Sequence, residues 1–294
     1  MDYLGHQGRP DLSDDEIARG FFRRIDVEFY RAAWFAQPAG EPLFARLIDY
    51  RSLREKRVLE VGSGLGAISA TLARHGARVT ALDLTWTGVS STARRFEVDG
   101  THGSVVQGEA ERLPLDGSFD LVWSWGVILH ALNPARAIRE MHRVLRPGGE
   151  VRVMIYNRHS FYNWLGIIAR YGVLRMQLLR HSVQELWNRY SDCRAIGGCP
   201  HVGYFSAAEF RSFMTAAGFD VLELRAFGQK TALTHFVPSS MRPAMEKMIP
   251  DGLMHALFGR FGMCCTAARG KPRRPPKGGR YRDIEIARTP PQVC

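Results

Sequence analysis

A chain of 294 residues, 45% hydrophobic and 23% charged, can bury one large α/β domain, and its composition excludes wholesale disorder and collagen-like repeats. The net charge of +11 would suit a polyanion, but 35 of the 40 basic residues are arginine and seven positive charges fall within 269–282, leaving +4 on the rest. We therefore read a basic tail rather than a nucleic-acid face, and no apolar run reaches the ~18 residues that a membrane helix needs.

In chain order, residues 1–12 are polar and expected to fray. Ser13-Asp14-Asp15-Glu16 has the form of a capping box, followed by Ile17, Phe21, Ile25 and Phe29 at roughly helical spacing. A second helix is expected from Pro42 to about Tyr50, so that 1–50 forms an N-terminal helical cap. From Arg57 short apolar runs alternate with helical stretches. Strands are expected at 57–61, 78–83, 103–107, 119–125 and 150–156, and helices at 67–73, 89–96 and 134–145. This alternation predicts an α/β fold with a doubly wound, mostly parallel sheet, whose ligand-binding core is 51–160.

After Asn157 the alternation stops. Residues 161–190 read as helical, with Trp164, Leu165, Ile168, Tyr171, Leu174 and Leu178 as an apolar stripe within an insertion over 161–205. Ser206-Ala207-Ala208-Glu209 is a further capping box, opening a helix that Gly218 closes. Strands are expected at 219–227 and 261–268, with helices inserted at 229–258, so that 206–270 completes the core and 271–294 forms a disordered basic tail. The cysteines at 193, 199, 264, 265 and 294 make no CxxC pair and no zinc spacing, so reduced thiols and no metal are expected. The start Met1-Asp2-Tyr3-Leu4-Gly5-His6 lacks a basic-then-apolar signal pattern, which points to the cytoplasm.

The most informative segment is Glu60-Val61-Gly62-Ser63-Gly64-Leu65-Gly66, where glycines at a strand end let the backbone turn tightly and a ligand approach it. Gly62-x-Gly64-x-x-Ala67 also satisfies the dinucleotide fingerprint. Asp83, closing the second strand, can accept from both hydroxyls of a ribose, which again fits either ligand. Further motifs separate the two. Gly108-Glu109-Ala110-Glu111-Arg112-Leu113-Pro114-Leu115 precedes Ser118-Phe119-Asp120-Leu121-Val122, then Trp123 to His130, and finally Arg143-Val144-Leu145-Arg146-Pro147-Gly148-Gly149. In this order and spacing, residues 56–156 resemble the small-molecule (methyltransferase type 11-like, UbiE-like) branch of the class I S-adenosylmethionine-dependent methyltransferases.

The resemblance implies a Rossmann-like seven-stranded sheet with a helical cap and a final antiparallel strand, and S-adenosyl-L-methionine as cofactor. By position, Gly62, Ser63, Gly64 and Gly66 would surround the methionine moiety, with Glu60 ordering the loop. Asp83 would bind the ribose, Leu84 would pack on the adenine, and Glu109 with the backbone of Ala110 would take the adenine amino group. Glu109 is one methylene longer than the aspartate usual there. Ser124 and Trp125 would face the methyl group.

Methyl transfer from a sulfonium needs mainly an acceptor atom held in line, at ~3–3.5 Å. A base helps where the acceptor keeps its proton. His130, just beyond the fourth strand, is the first candidate base, and His159, after the fifth, the second. Tyr30, Trp34, Tyr156, His201 and Tyr204 are candidates for the acceptor site. The implied activity is methylation of an oxygen or nitrogen, less so a carbon, of a small organic acceptor in specialised metabolism. A nicotinamide-dependent oxidoreductase and a non-catalytic cofactor-binding protein are the alternatives. A small-molecule partner, no nucleic acid, no membrane span and a monomer or homodimer complete the expectation.

Overall fold

The computed structural model of the chain describes residues 10–32, 40–192, 197–227 and 265–272, with a few positions between 241 and 253. Its centre is a sheet built from β1 (Arg57–Val61), β2 (Arg78–Asp83), β3 (Gly103–Gln107), β4 (Phe119–Trp125) and β5 (Leu145–Asn157), all parallel. The two-residue β6 (Tyr204–Phe205) adds to β5, and β7 (Phe219–Phe227) and β8 (Cys265–Pro272) complete the far edge. Among the described residues the order is β3-β2-β1-β4-β5-β8-β7, with β8 antiparallel to both its neighbours. This is the doubly wound, mostly parallel seven-strand path that the sequence predicts, with β6 as an addition.

Parallel strands are buried on both faces, so successive side chains feed two cores. Val58, Leu121, Trp123 and Met154 pack on one side with α2 (Ala67–Arg74). Leu59, Val61, Val122, Val153 and Ile155 pack on the other with α4 (Pro134–Val144) and α6 (Ala207–Ala216). A third cluster joins Phe21, Phe22 and Ile25 of α1 (Asp15–Ala32) to Val98 of α3 (Trp86–Asp99). The topological switch lies between β1 and β4, where Val61 pairs with Leu82 on one side and Ser124 on the other. Ligands of such sheets bind in the crevice at the carboxyl ends of these strands.

The structure corrects several expectations. Ser13 does not cap α1. Asp14 does, its Oδ1 accepting from the N–H groups of Glu16 and Ile17 at 2.9 Å each. The helix expected over Pro42–Tyr50 is a set of turns, because Phe44 takes a left-handed conformation (φ 60°) that no continuing helix allows. Its fully buried ring instead packs on Trp123 and Trp125.

The stretch 161–190 is not one α-helix. A π-helical segment Tyr162–Val173 and a short turn precede α5 (Val183–Tyr190). With i→i+5 winding, as from Leu174 N–H to Ala169 O, the expected stripe does not stay on one face. Tyr171 is buried, while Trp164, Leu165, Leu174 and Leu178 are exposed. The last strand ends at Pro272, so residues 271–272 belong to the sheet rather than the tail. Residues 273–294, most of 229–258, Trp34, Phe35 and the cysteines 193, 264 and 294 lie outside the described residues.

Candidate active site

At the carboxyl end of β1 the chain turns through Gly62, Gly64 and Gly66, with φ of 81°, 53° and 75°. Only glycine adopts such values without cost. Gly62 N–H and Ser63 N–H both donate to Leu82 O, which clamps the loop to β2. A Cβ on Gly62 would lie 2.2 Å from Val127 Cγ2, whereas Gly64 faces open space. The loop is therefore tightly backed on one side and open on the other.

Beneath it, Glu60 is fully buried and accepts a hydrogen bond from Ser69 of α2. Burial pushes its pKa up to about 8, with the Ser69 hydrogen bond opposing that shift, so Glu60 is held protonated at neutral pH. Ser63 is buried and its Oγ accepts from Thr92 of α3 at 3.1 Å. Arg95, also on α3 and almost fully buried, reaches Leu65 O and pairs with Asp26 of α1 at 2.6 Å.

Asp83 ends β2 beside this loop. Its Oδ2 accepts from Gly64 N–H at 2.8 Å, and its Oδ1 accepts from the N–H and hydroxyl of Thr85 at 2.9 and 2.8 Å. A carboxylate has about four acceptor positions, so one remains, on Oδ2. Gly88 lets α3 approach, since a Cβ there would sit 2.4 Å from Asp83 Cγ. Next to Asp83, Leu84 and Trp86 are apolar yet 66% and 69% exposed. Glu109 is exposed across the same edge, where Gly108 N–H donates to Asp83 O at 2.9 Å, and Ala110 packs partly into the core.

On the other side of the switch, Ser124 is fully buried at the end of β4 and its Oγ has no hydrogen-bond partner among the described residues. Trp125 stacks on Trp123 with ring centroids 5.4 Å apart and also meets Phe44, so its ring is shared with the core. A 3-10 turn over Ile128–His130 follows, fixed by Gly203 N–H donating to Leu129 O at 2.7 Å.

His130 Nδ1 lies 2.8 Å from His201 O and Nε2 lies 3.6 Å from Asp192 Oδ2. Asp192 accepts from the Tyr156 hydroxyl, at 2.7 Å on Oδ1 and 2.8 Å on Oδ2. Tyr204 is buried, rings against Tyr156 and Trp187, and shares a 2.8 Å hydrogen bond with Ser191. Burial, and then the neighbouring His130, hold the His201 ring below the usual histidine pKa.

The fold thus gathers His130, Tyr156, His201 and Tyr204 beyond the ends of β4 and β5. Of the other candidates, Trp34 lies outside the described residues. His159 is exposed on the turn after β5, its backbone N–H bound to Asn157 Oδ1. Tyr30 packs against the core cluster that holds Phe44 and Tyr50. Asp192, Thr85, Thr92 and Val127 complete the site without any sequence signal, apart from Thr85, which stands where the N-cap of α3 is needed.

Residues 59–153 match the methyltransferase domain family. The ubiquinone biosynthesis O-methyltransferase of Pseudomonas aeruginosa (strain UCBPP-PA14) is 32% identical over 161 residues, covering 50% of this chain and 69% of that protein. Its namesake from Xanthomonas oryzae pv. oryzae (strain PXO99A) is 33% identical over 183 residues, 56% of this chain and 74% of that protein. Among solved structures, the complex of the Haloferax volcanii Trm112 methyltransferase activator with a methyltransferase aligns with a TM-score of 0.53 at 20% identity, over 89% of this chain and 98% of that one. That likeness bears on the fold alone. The open cradle over Gly64, the partnerless Ser124 Oγ and the free acceptor position of Asp83 fit the cofactor of this family. The chain belongs to the class I S-adenosylmethionine-dependent methyltransferases, and S-adenosylmethionine is its cofactor.

Proposed function

We propose that the chain methylates the oxygen of a hydroxyl on a small aromatic acceptor, with His130 taking the hydroxyl proton. The tautomer of His130 carries this reading. A carbonyl oxygen only accepts, so in the neutral ring the contact with His201 O makes Nδ1 the N–H nitrogen and leaves the lone pair on Nε2. Asp192 cannot fill that lone pair, because a carboxylate has no proton to give and lies beyond hydrogen-bond length at 3.6 Å. The His130 side chain is 36% exposed, so an acceptor can reach it.

S-adenosylmethionine supplies an electrophilic methyl group, which needs no activation by the protein. The chain holds the cofactor in the glycine loop and at Asp83, and orients the acceptor oxygen. It also places Nε2 to receive the proton, as imidazole can near neutral pH. The O–H electron pair would stay on oxygen for the new bond to the methyl carbon, while the pair of the broken carbon–sulfur bond would leave on sulfur as a neutral thioether. The part-buried rings of Tyr156 and Trp187, backed by the buried ring of Tyr204, suit an aromatic acceptor. Oxygen is favoured over nitrogen by the relatives, both ubiquinone biosynthesis O-methyltransferases, and by the base itself, which a neutral amine acceptor needs far less.

Turnover of His130→Ala and His130→Gln at saturating S-adenosylmethionine tests the reading. Both variants should lose about 10²-fold or more in kcat with cofactor affinity unchanged. Glutamine keeps a hydrogen-bonding end but cannot take the proton, so near-normal turnover in that variant would reduce His130 to an orienting group.

A further inference from the structure

We propose that Asp192, aimed by the Tyr156 hydroxyl, is a positioning residue that stabilises His130 once it has taken the acceptor proton. This rests on His130 being the base. Before the transfer, the Asp192 carboxylate and the Nε2 lone pair face each other at 3.6 Å with nothing to bind them. After it, the same two groups are an imidazolium and a carboxylate. The pair is therefore attractive only when the proton has arrived, which is the condition for an interaction to lower the barrier rather than the ground state.

The carboxylate is built to wait in that place. Its side chain is only 14% exposed, less than half the figure for His130. Both oxygens lie within hydrogen-bond distance of the one Tyr156 hydroxyl, which fixes the plane of the carboxylate. The frame around it is held from three sides. Tyr156 stands at the end of β5, where it pairs in register with Tyr204 of β6. Ser191, next in the chain, is tied to the Tyr204 hydroxyl. Tyr190, closing α5, stacks on Tyr171 at 3.8 Å and exchanges hydrogen bonds with Gln177. On the opposite face of the imidazole, His201 O takes Nδ1–H and thereby sets which nitrogen points at Asp192.

The proton moves from the acceptor hydroxyl to Nε2 and then to solvent, and Asp192 stays ionised throughout. No further reactant is required. The arrangement has the logic of an acid that orients and stabilises a histidine without itself being protonated, reached here from residues 62 positions apart.

The test uses the full chain with saturating S-adenosylmethionine and a hydroxyl acceptor. Asp192→Asn retains the shape and an oxygen for Tyr156 but loses the charge. It should lower kcat tenfold to a hundredfold, with the acceptor KM and the calorimetric affinity for S-adenosylmethionine nearly unchanged. Asp192→Glu, which restores the charge, should recover most of the loss, and Tyr156→Phe should show a smaller loss of the same kind. In a His130→Gln background Asp192→Asn should add little. An Asp192→Asn enzyme with wild-type kcat while His130→Gln is slow would overturn this proposal alone. So would an equal loss with and without His130, or a loss confined to cofactor affinity. A fast His130→Gln enzyme would instead overturn the base on which it rests.

Discussion

At the scale of single residues, Asp83 ties local architecture together and keeps one acceptor position open for a ligand. Three of its acceptor positions tie the glycine loop and the first turn of α3 to the end of β2, and one is left toward the crevice. Replacing it with alanine should weaken S-adenosylmethionine binding by about 1.5–3 kcal/mol, the scale of a hydrogen bond to a charged group, read by calorimetric titration. Unchanged affinity would place the ribose elsewhere. Asp83 was legible because a carboxylate at a strand end after a glycine loop has few other uses. Asp192 was not. Tyr190-Ser191-Asp192 has no motif, and only the packing of α5 brings it to His130. Asn133 caps α4 just before Pro134, its side chain accepting from Arg136 N–H at 3.0 Å.

At the scale of elements, β1, β2, β3, β4 and β7 have the bounds that the sequence predicts. β1, β2 and β4 are parallel strands inside the sheet with most of their residues buried, which leaves little freedom for any other reading. β5 starts earlier than its apolar run, at Leu145, because Phe119 pairs with Leu145 across an irregularity before the regular register resumes at Leu121 and Glu150. α3 extends back to Trp86 because Thr85 caps it, accepting from Gly88 N–H at 3.0 Å. Failures fall where tertiary contacts outweigh local preference. Phe44 gives up a helical backbone to bury its ring against Trp125 at 4.2 Å. The stretch after Ser160 winds as a π-helix, a period that a search for 3.6-residue repeats cannot find. Both lie next to the proposed site, where local rules are most often overridden.

At the scale of the whole molecule, Glu60 links the site to global stability. Its folded pKa of about 8 stands above the ordinary 4.5, so between these values the folded chain binds more protons than the unfolded one. Stability should therefore fall as pH rises from about 5 to about 8 and then level off. Denaturant titrations across that window should show the slope in the native protein and a flatter one in Glu60→Gln. Equal slopes would assign the dependence to other groups. The proposed function is oxygen methylation at the carboxyl ends of β4 and β5. Incubation with S-adenosylmethionine labelled with carbon-13 in its methyl group, in the presence of paired aromatic acceptors bearing either a hydroxyl or an amine, measures this directly. A labelled methoxy carbon should appear by nuclear magnetic resonance, with no labelled N-methyl product. Label on the amine, with the hydroxyl acceptor untouched, would contradict it.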